Sequence, residues 1–335
     1  MELNSGLLLS KNFTASRWEK VFRNLFAGRI DQKEAKKILL LLARKSEEAP
    51  EMLGCLRALR QIEPVHQMAL PFLTDICGTG GDGAQTFNVS TVSAFVIAGA
   101  GAYVAKHGNR AISSKTGSSD LMEALGVKIK APFSVMLQAL RKTRFGYFHA
   151  PLYHPSFLKL QPLRRSLGVR TLFNAVGPLT NPFKLSSQTI GVSHAKWLEP
   201  MAETLKQMKR KRVAVFRSGE GLDELSTCET SDILYVEDGR ITRFRLKPWK
   251  LGFKKARKGD YAGGGLRTNE KIALQILENR LRGPCEDIVL LNSAVALWIA
   301  GLATSIEEGV ERSRWSLRTG RARKVLEGLR RLTQT

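Results

Sequence analysis

Apolar residues recur at helical spacing early in the chain. Trp18, Val21, Phe22, Leu25 and Phe26 fall on one face of a helix. Ser16-Arg17-Trp18-Glu19 has the form of a capping box at its start, and Gly28 can end it. A second helix begins at Asp31–Glu34 and carries Ala35, Ile38, Leu39 and Leu42 on one side. A third carries Met52, Cys55, Leu56 and Leu59 and is stopped by Pro64. From Leu73 the period changes to short apolar runs: Leu73–Cys77, Ala102–Ala105, Phe145–Phe148, Thr189–Val192, Val213–Phe216, Ile233–Val236 and Ile241–Leu246. Helical patterns separate most of them, which predicts a largely parallel sheet covered on both faces. Asp238-Gly239 is a hairpin turn, so the last two strands are expected to be antiparallel neighbours. Pro155 to Leu167 reads as helix that returns to the first helical unit. Lys247 to Gly265 has no clear period and reads as a mobile loop or an irregular connection. Helices are expected over Asn269–Leu281, Asp287–Ala303, Glu307–Thr319 and Arg323–Leu332. The fold class is α/β. A helical domain over 1–70, joined by helices from about 155–185, precedes a large domain over 71–335 with a mostly parallel central sheet flanked by helices.

One stretch carries more chemistry than its hydropathy requires. The apolar run ending at Cys77 leads straight into Gly78-Thr79-Gly80-Gly81-Asp82-Gly83, and an apolar helix, Val92 to Ala100, follows. Glycines between a strand and a helix let bare backbone approach an anion, next to the unpaired N–H groups of the helix start. The run fits the loose dinucleotide pattern at Gly78, Gly80 and Gly83, but the next strand ends in Lys106-His107-Gly108-Asn109-Arg110 rather than in an acid for a ribose. Nor is it a P-loop, since Ala84-Gln85 follows Gly83. A third turn, Ser113-Ser114-Lys115-Thr116-Gly117-Ser118-Ser119-Asp120, adds hydroxyls and another lysine. Three such turns suit a ligand with several phosphate groups; the alternative is three ordinary polar turns.

Charge changes the picture only in part. Against 53 Lys and Arg stand 30 Asp and Glu, a net charge of +23. One phosphorylated substrate needs only a few cations, so nucleic acid, an anionic surface or another acidic partner enters consideration. The excess is spread over Lys206–Arg212, Lys247–Lys258 and Arg312–Arg331. No apolar run is long enough to span a bilayer, and MELNSGLLLSKNF does not read as a signal peptide. Cys55, Cys77, Cys228 and Cys285 lack the paired spacing of a zinc site or disulfide framework, and a reducing cytoplasm is the simplest setting.

The glycine turn, Asn88-Val89-Ser90-Thr91 and Lys106–Arg110 resemble the motif blocks of the anthranilate phosphoribosyltransferases, a nucleoside-phosphorylase-like family. Further blocks follow in order: Ala150–Pro155, Arg164–Thr171, Asn174–Pro182, Gly221–Ser226 and Leu290-Leu291-Asn292. The likeness covers nearly the whole chain. It implies transfer of the phosphoribosyl group of 5-phosphoribosyl 1-pyrophosphate to anthranilate, giving N-(5-phosphoribosyl)anthranilate and pyrophosphate, in tryptophan biosynthesis. It also implies a homodimer formed through the helical domain.

Carried over residue by residue, the donor-binding set is Gly78, Gly81, Asp82, Thr86, Asn88, Val89, Ser90, Thr91, Lys106, His107, Gly108, Asn109, Arg110, Ala111, Ile112, Ser113, Ser114 and Ser118. Gly78, Asn109 and Arg164 are the implied anthranilate contacts, with Arg164 meeting the carboxylate. Mg²⁺ is the implied cofactor, and Ser90, Asp223 and Glu224 its implied ligands; an adjacent acid pair taken alone is more often a solvated turn. His107 and His154 are candidate walls or hydrogen-bond partners. No acid or base is assigned, because an aromatic amine is already neutral at pH 7. Two local departures stand out: His149 where the family has an apolar residue, and Gly263-Gly264-Gly265-Leu266-Arg267-Thr268-Asn269, which varies a glycine-rich turn. Two rivals share the architecture. A pyrimidine nucleoside phosphorylase is disfavoured by Asn109, Arg164 and the Asp223-Glu224 pair. A nucleic-acid-binding paralogue without activity suits the charge, but should have lost the glycine turn and the acid pair.

Overall fold

The computed structural model describes residues 13–111 and 115–334. Three helices open it: α1 (Ala15–Phe26), α2 (Gln32–Lys45) and α3 (Ala49–Ile62). Their buried faces are the ones the spacing predicts. The cap of α1 differs: Thr14, not Ser16, is the first non-helical residue. Phe13 then packs edge-on against Trp18 at 4.8 Å, an apolar staple across the helix start that a cap at Ser16 would break. Asp31 caps α2 by accepting the Glu34 N–H at 2.9 Å.

The sheet contains β1 (Leu73–Gly78), β2 (Tyr103–Gly108), β3 (Phe145–His149), β4 (Ser187–Gly191), β5 (Arg212–Ser218), β6 (Ser231–Glu237) and β7 (Arg240–Leu246). Their order is β3-β2-β1-β4-β5-β6-β7. The first five are parallel, and β6 runs against both β5 and β7. Asp238 and Gly239 both take positive φ, as the tight turn between β6 and β7 requires. Every predicted strand is present. Most extend into polar residues, because the ladder continues past the apolar run.

Residues alternate between the two faces of the sheet. Val213 and Val215 point to one, where α1–α3 pack with Leu163, Leu172 and Phe173. Ala214 and Phe216 point to the other. There lie α4 (Val89–Gly99) and three helices of the C-terminal half, whose bounds are Pro284–Ala300, Ile306–Arg318 and Arg321–Gln334. The segment Pro155–Leu167 is two short helices, Pro155–Lys159 and Gln161–Leu167, broken at Leu160. Lys247–Gly265 takes the irregular form and is held in place. Phe253, Ala256 and Tyr261 are buried, and the Tyr261 hydroxyl accepts the Thr227 N–H at 2.8 Å. Among the described residues, no helix is long and apolar enough to cross a membrane.

β1 is flanked by β2 on one side and β4 on the other. Chain order reverses there, and a crevice opens beyond the carboxyl ends of the parallel strands.

Candidate active site

β1 and β4 end side by side, with Gly78 opposite Gly191. The loop after β5 crosses over both. A β-carbon on Gly191 would overlap the Asp223 carbonyl, and one on Gly78 would overlap its carboxylate. Two glycines on neighbouring strands thus make the seat for Asp223. Asn292, from the helix Pro284–Ala300, holds the loop from below: its Oδ1 accepts the Leu225 N–H at 3.0 Å and its Nδ2 donates to the Leu225 carbonyl at 2.7 Å.

The glycine turn closes over this seat. Gly80 N–H donates to Asp223 Oδ2 at 2.6 Å, and Thr79 N–H to the Gly191 carbonyl at 3.0 Å. Gly80 and Gly81 both have positive φ. Gly81 lies against the Arg170 guanidinium, where a β-carbon would clash. Arg170 in turn donates to His194 Nε2 at 2.8 Å, so that nitrogen is an acceptor. Glu224 takes the Ser90 N–H at 3.0 Å, at the start of α4, where the helix favours a negative group.

Asp223 and Glu224 are both buried. Burial, with the charge of Asp82, pushes the Asp223 carboxyl up to about 7. Burial and the neighbouring Asp223 charge push Glu224 well above the ordinary carboxylate range, against the pull of Lys106. Lys106 is itself buried in β2 and donates to the Ile76 carbonyl at 2.7 Å. The Asp82 Oδ2 is buried without a hydrogen-bond partner. Three carboxylates therefore converge with less positive charge than they need. Among the described residues, no group of three or more His, Cys, Asp or Glu is placed to hold a metal ion by itself.

Asp120 organises the loop after β2. It accepts the N–H groups of Ala111 at 3.1 Å and Gly117 at 2.9 Å, and pairs with Arg110 at 2.8 Å. Arg110 also pairs with Glu123. The Asn109 carbonyl takes the Ser119 N–H and the Ser118 hydroxyl. Gly108 packs against Ser118 and the Tyr147 hydroxyl with no room for a side chain. Ile112, Ser113 and Ser114 lie outside the described residues. Val89 and Thr91 are buried, so their side chains present no surface to the crevice. Asn88 donates to the Thr116 carbonyl at 3.0 Å and is also bonded to Asn269, which ties the Gly263–Gly265 turn to the site. Thr86 bridges to Ala262.

Beside the glycine turn is a cavity of about 590 Å³, lined by Gly80, Gly81, Asn109, Ala111, Pro151, His154, Phe157, Arg164 and Arg170. The Arg164 guanidinium lies 5.5 Å from the centre of the Phe173 ring, and burial lowers its pKa. No carboxylate pairs with it among the described residues. His107 meets His154 edge to face at 4.9 Å. Burial, then His154 and Lys106, hold His107 well below the ordinary imidazole value, so it is neutral at pH 7. The structure thus gathers Gly78, Asp82, Ser90, Asp223 and Glu224 around one seat, and Asn109 and Arg164 around the adjoining cavity. Sequence reasoning passed over Arg170, Asp120 and Glu63 as site residues. Arg170 stands in a quoted block, and its place beneath Gly81 has no sequence signal.

A strand-end glycine turn, a helix start and an acid pair at the strand-order reversal make an α/β site suited to a phosphorylated ligand. The family described as "Glycosyl transferase family, a/b domain" matches residues 70–323. The anthranilate phosphoribosyltransferase of Clostridium kluyveri is 39% identical over 316 residues, covering 94% of each chain. The crystal structure of the Thermus thermophilus anthranilate phosphoribosyltransferase superposes with a TM-score of 0.90 at 37% identity, covering 96% of both chains. The Saccharomyces cerevisiae structure, in complex with PRPP and Mg, shares the fold with a TM-score of 0.90 at 24% identity over 98% of this chain and 96% of that one. The chain belongs to the anthranilate phosphoribosyltransferase family.

Proposed function

We propose that this protein transfers the phosphoribosyl group of 5-phosphoribosyl 1-pyrophosphate to anthranilate, releasing pyrophosphate, as a step of tryptophan biosynthesis. One observation carries the reading: Asp223, seated on Gly78 and Gly191 and bonded to the glycine turn, lies beside a cavity that holds Asn109 and Arg164, an arginine with no carboxylate partner among the described residues. That arrangement suits a pyrophosphate on one side and a flat aromatic carboxylate on the other.

The donor's phosphates lie along the glycine turn, the start of α4 and the loop after β2, where backbone N–H groups, hydroxyls and Lys106 meet their charge. Ser90, Asp223 and Glu224 would hold Mg²⁺. The buried negative charge of Asp223 and Glu224 fits a hard divalent cation, whose remaining ligands would be donor oxygens. When bound, Mg²⁺ neutralises the departing pyrophosphate. Arg164 takes the anthranilate carboxylate, and Asn109 and Gly78 complete the acceptor site. Holding the amine close to the anomeric carbon supplies the rest, as bond breaking there leads to an oxocarbenium-like transition state. Residues 1–70, with helices from about 155–185, are proposed as one unit that forms a homodimer. Four free cysteines suit a cytoplasmic setting.

The decisive assay follows anthranilate fluorescence on addition of the donor with Mg²⁺. Fluorescence should fall as N-(5-phosphoribosyl)anthranilate and pyrophosphate accumulate one for one. No loss at any donor concentration would overturn the reading.

A further inference from the structure

Glu63 lies just past the end of α3, 91 residues before His154 in sequence, yet its carboxylate reaches the wall of the acceptor cavity. One oxygen accepts the Ser156 N–H at 3.0 Å. The other faces His154 Nδ1 at 2.7 Å. Both side chains are more than nine-tenths buried. A carboxylate can only accept, so Nδ1 carries a proton, and a ring that holds this one proton keeps its lone pair on Nε2. His154 lines the cavity, and its Nε2 is buried with no partner among the described residues. A buried acceptor left unpaired is costly, and a cavity wall is where a ligand donor can satisfy it. His107 against one edge and Phe157 at 5.8 Å fix the plane of the ring.

We propose that Glu63 is a positioning residue. It holds His154 as the Nδ1–H tautomer, so that Nε2 accepts a hydrogen bond from the amine of the acceptor. That bond turns the amine and aims its lone pair at the donor while Arg164 takes the carboxylate. The inference rests on the acceptor assignment above. It also gives the first helical unit a direct part in reading the acceptor, since Glu63 ties the end of α3 to the cavity wall.

Glu63→Gln separates this role from packing. Ser156 N–H continues to require the side-chain oxygen, so the amide NH₂ must turn toward His154 Nδ1. The ring then takes the opposite tautomer and presents a donor to the amine. KM for anthranilate should rise about 10- to 100-fold, the effect of setting a donor against a donor, while KM for the phosphoribosyl donor shifts less than about twofold. Glu63→Asp should recover part of the loss. Long-range ¹H–¹⁵N correlation spectra of histidine-labelled protein read the tautomer directly, with His154→Asn assigning the signal. The wild type should show Nδ1–H and Glu63→Gln should show Nε2–H. An Nε2–H ring in the wild type overturns the proposal, as does Glu63→Gln with unchanged anthranilate KM or with equal loss for both substrates. A wild type that consumes no anthranilate defeats the proposed function instead, and the tautomer still decides whether Glu63 sets the state of His154.

Discussion

Gly191 and Asp223 are in contact so close that the strand end has no space for a methyl group beneath the Asp223 backbone. The position of the acid pair is therefore set by what β4 lacks. Gly191→Ala must push the loop after β5 outward, carrying Asp223 and Glu224 with it. The expected outcome is a stability loss of about 1–3 kcal/mol, typical of overpacking, and a much larger loss of turnover. Thermal unfolding and steady-state assays on one preparation measure both. Wild-type turnover in that variant would show that the seat does not set the geometry.

The acid pair also makes a pH prediction. The Asp223 carboxyl is raised from 3.8 to about 7, and Glu224 is raised as well. Below pH 3.8 both folded and unfolded chains bind these protons, and the pair costs nothing. As pH climbs toward 7 the unfolded chain releases them and the folded one retains them, so metal-free stability falls. Each unit of the rise is worth about 1.4 kcal/mol. Asp223→Asn with Glu224→Gln removes that slope and should abolish turnover while the protein folds normally. The gap in Tm between variant and metal-free wild type should widen from about pH 4 to 7, and Mg²⁺ should narrow it. A gap that stays flat with pH, or full activity of the double variant at limiting Mg²⁺, refutes the assignment.

Arg164 lies over Phe173 with no carboxylate partner among the described residues. Arg164→Ala should lower kcat/KM for anthranilate by about 1.5–3 kcal/mol, the range of a charge-assisted hydrogen bond, and affect the donor far less. Arg164→Lys keeps the charge but loses the planar face on Phe173, so it should fall between. Equal losses for both substrates would make Arg164 a structural residue.

The net charge of +23 can be weighed against the site. Residues 311–331 carry eight Lys and Arg against two Glu. The last helix turns Val325, Leu326 and Leu329 inward, so most of its cations face solvent. Trp315 is the one aromatic in that stretch, and Arg321 stacks on it at 4.4 Å. With no row of aromatics to stack bases, nucleic acid should bind weakly and without sequence preference, at about 10⁻⁴–10⁻⁶ M at physiological salt. A salt titration should abolish that binding well before transfer falls. Tight binding that persists at high salt, with no transfer, would favour the nucleic-acid-binding reading.

The sheet was legible in the sequence because each strand has an apolar centre. Its limits were not. β2 reads as ending at Ala105, yet Lys106, His107 and Gly108 pair with Tyr147, Phe148 and His149. Hydropathy cannot foresee that Lys106 is buried, because its ammonium is satisfied by a carbonyl of another strand. The glycine turn and the acid pair were legible as local motifs. Their union was not: Gly80 and Asp223 are 143 residues apart and meet only because β1, β4 and β5 are neighbours. Glu63 escaped notice for the same reason, since nothing around it announces a histidine 91 residues away.

β7 ends the sheet, and its outer residues Arg240, Arg243 and Arg245 are exposed. Arg243 pairs with Glu199 and Arg245 with Asp232, so each holds a hydrated ion pair against the strand. An incoming strand would have to strip water from these groups before its first ladder bond could form. Part of the chain's excess of arginine thus works as a guard against edge-to-edge aggregation, at an edge where seven strands could otherwise recruit an eighth.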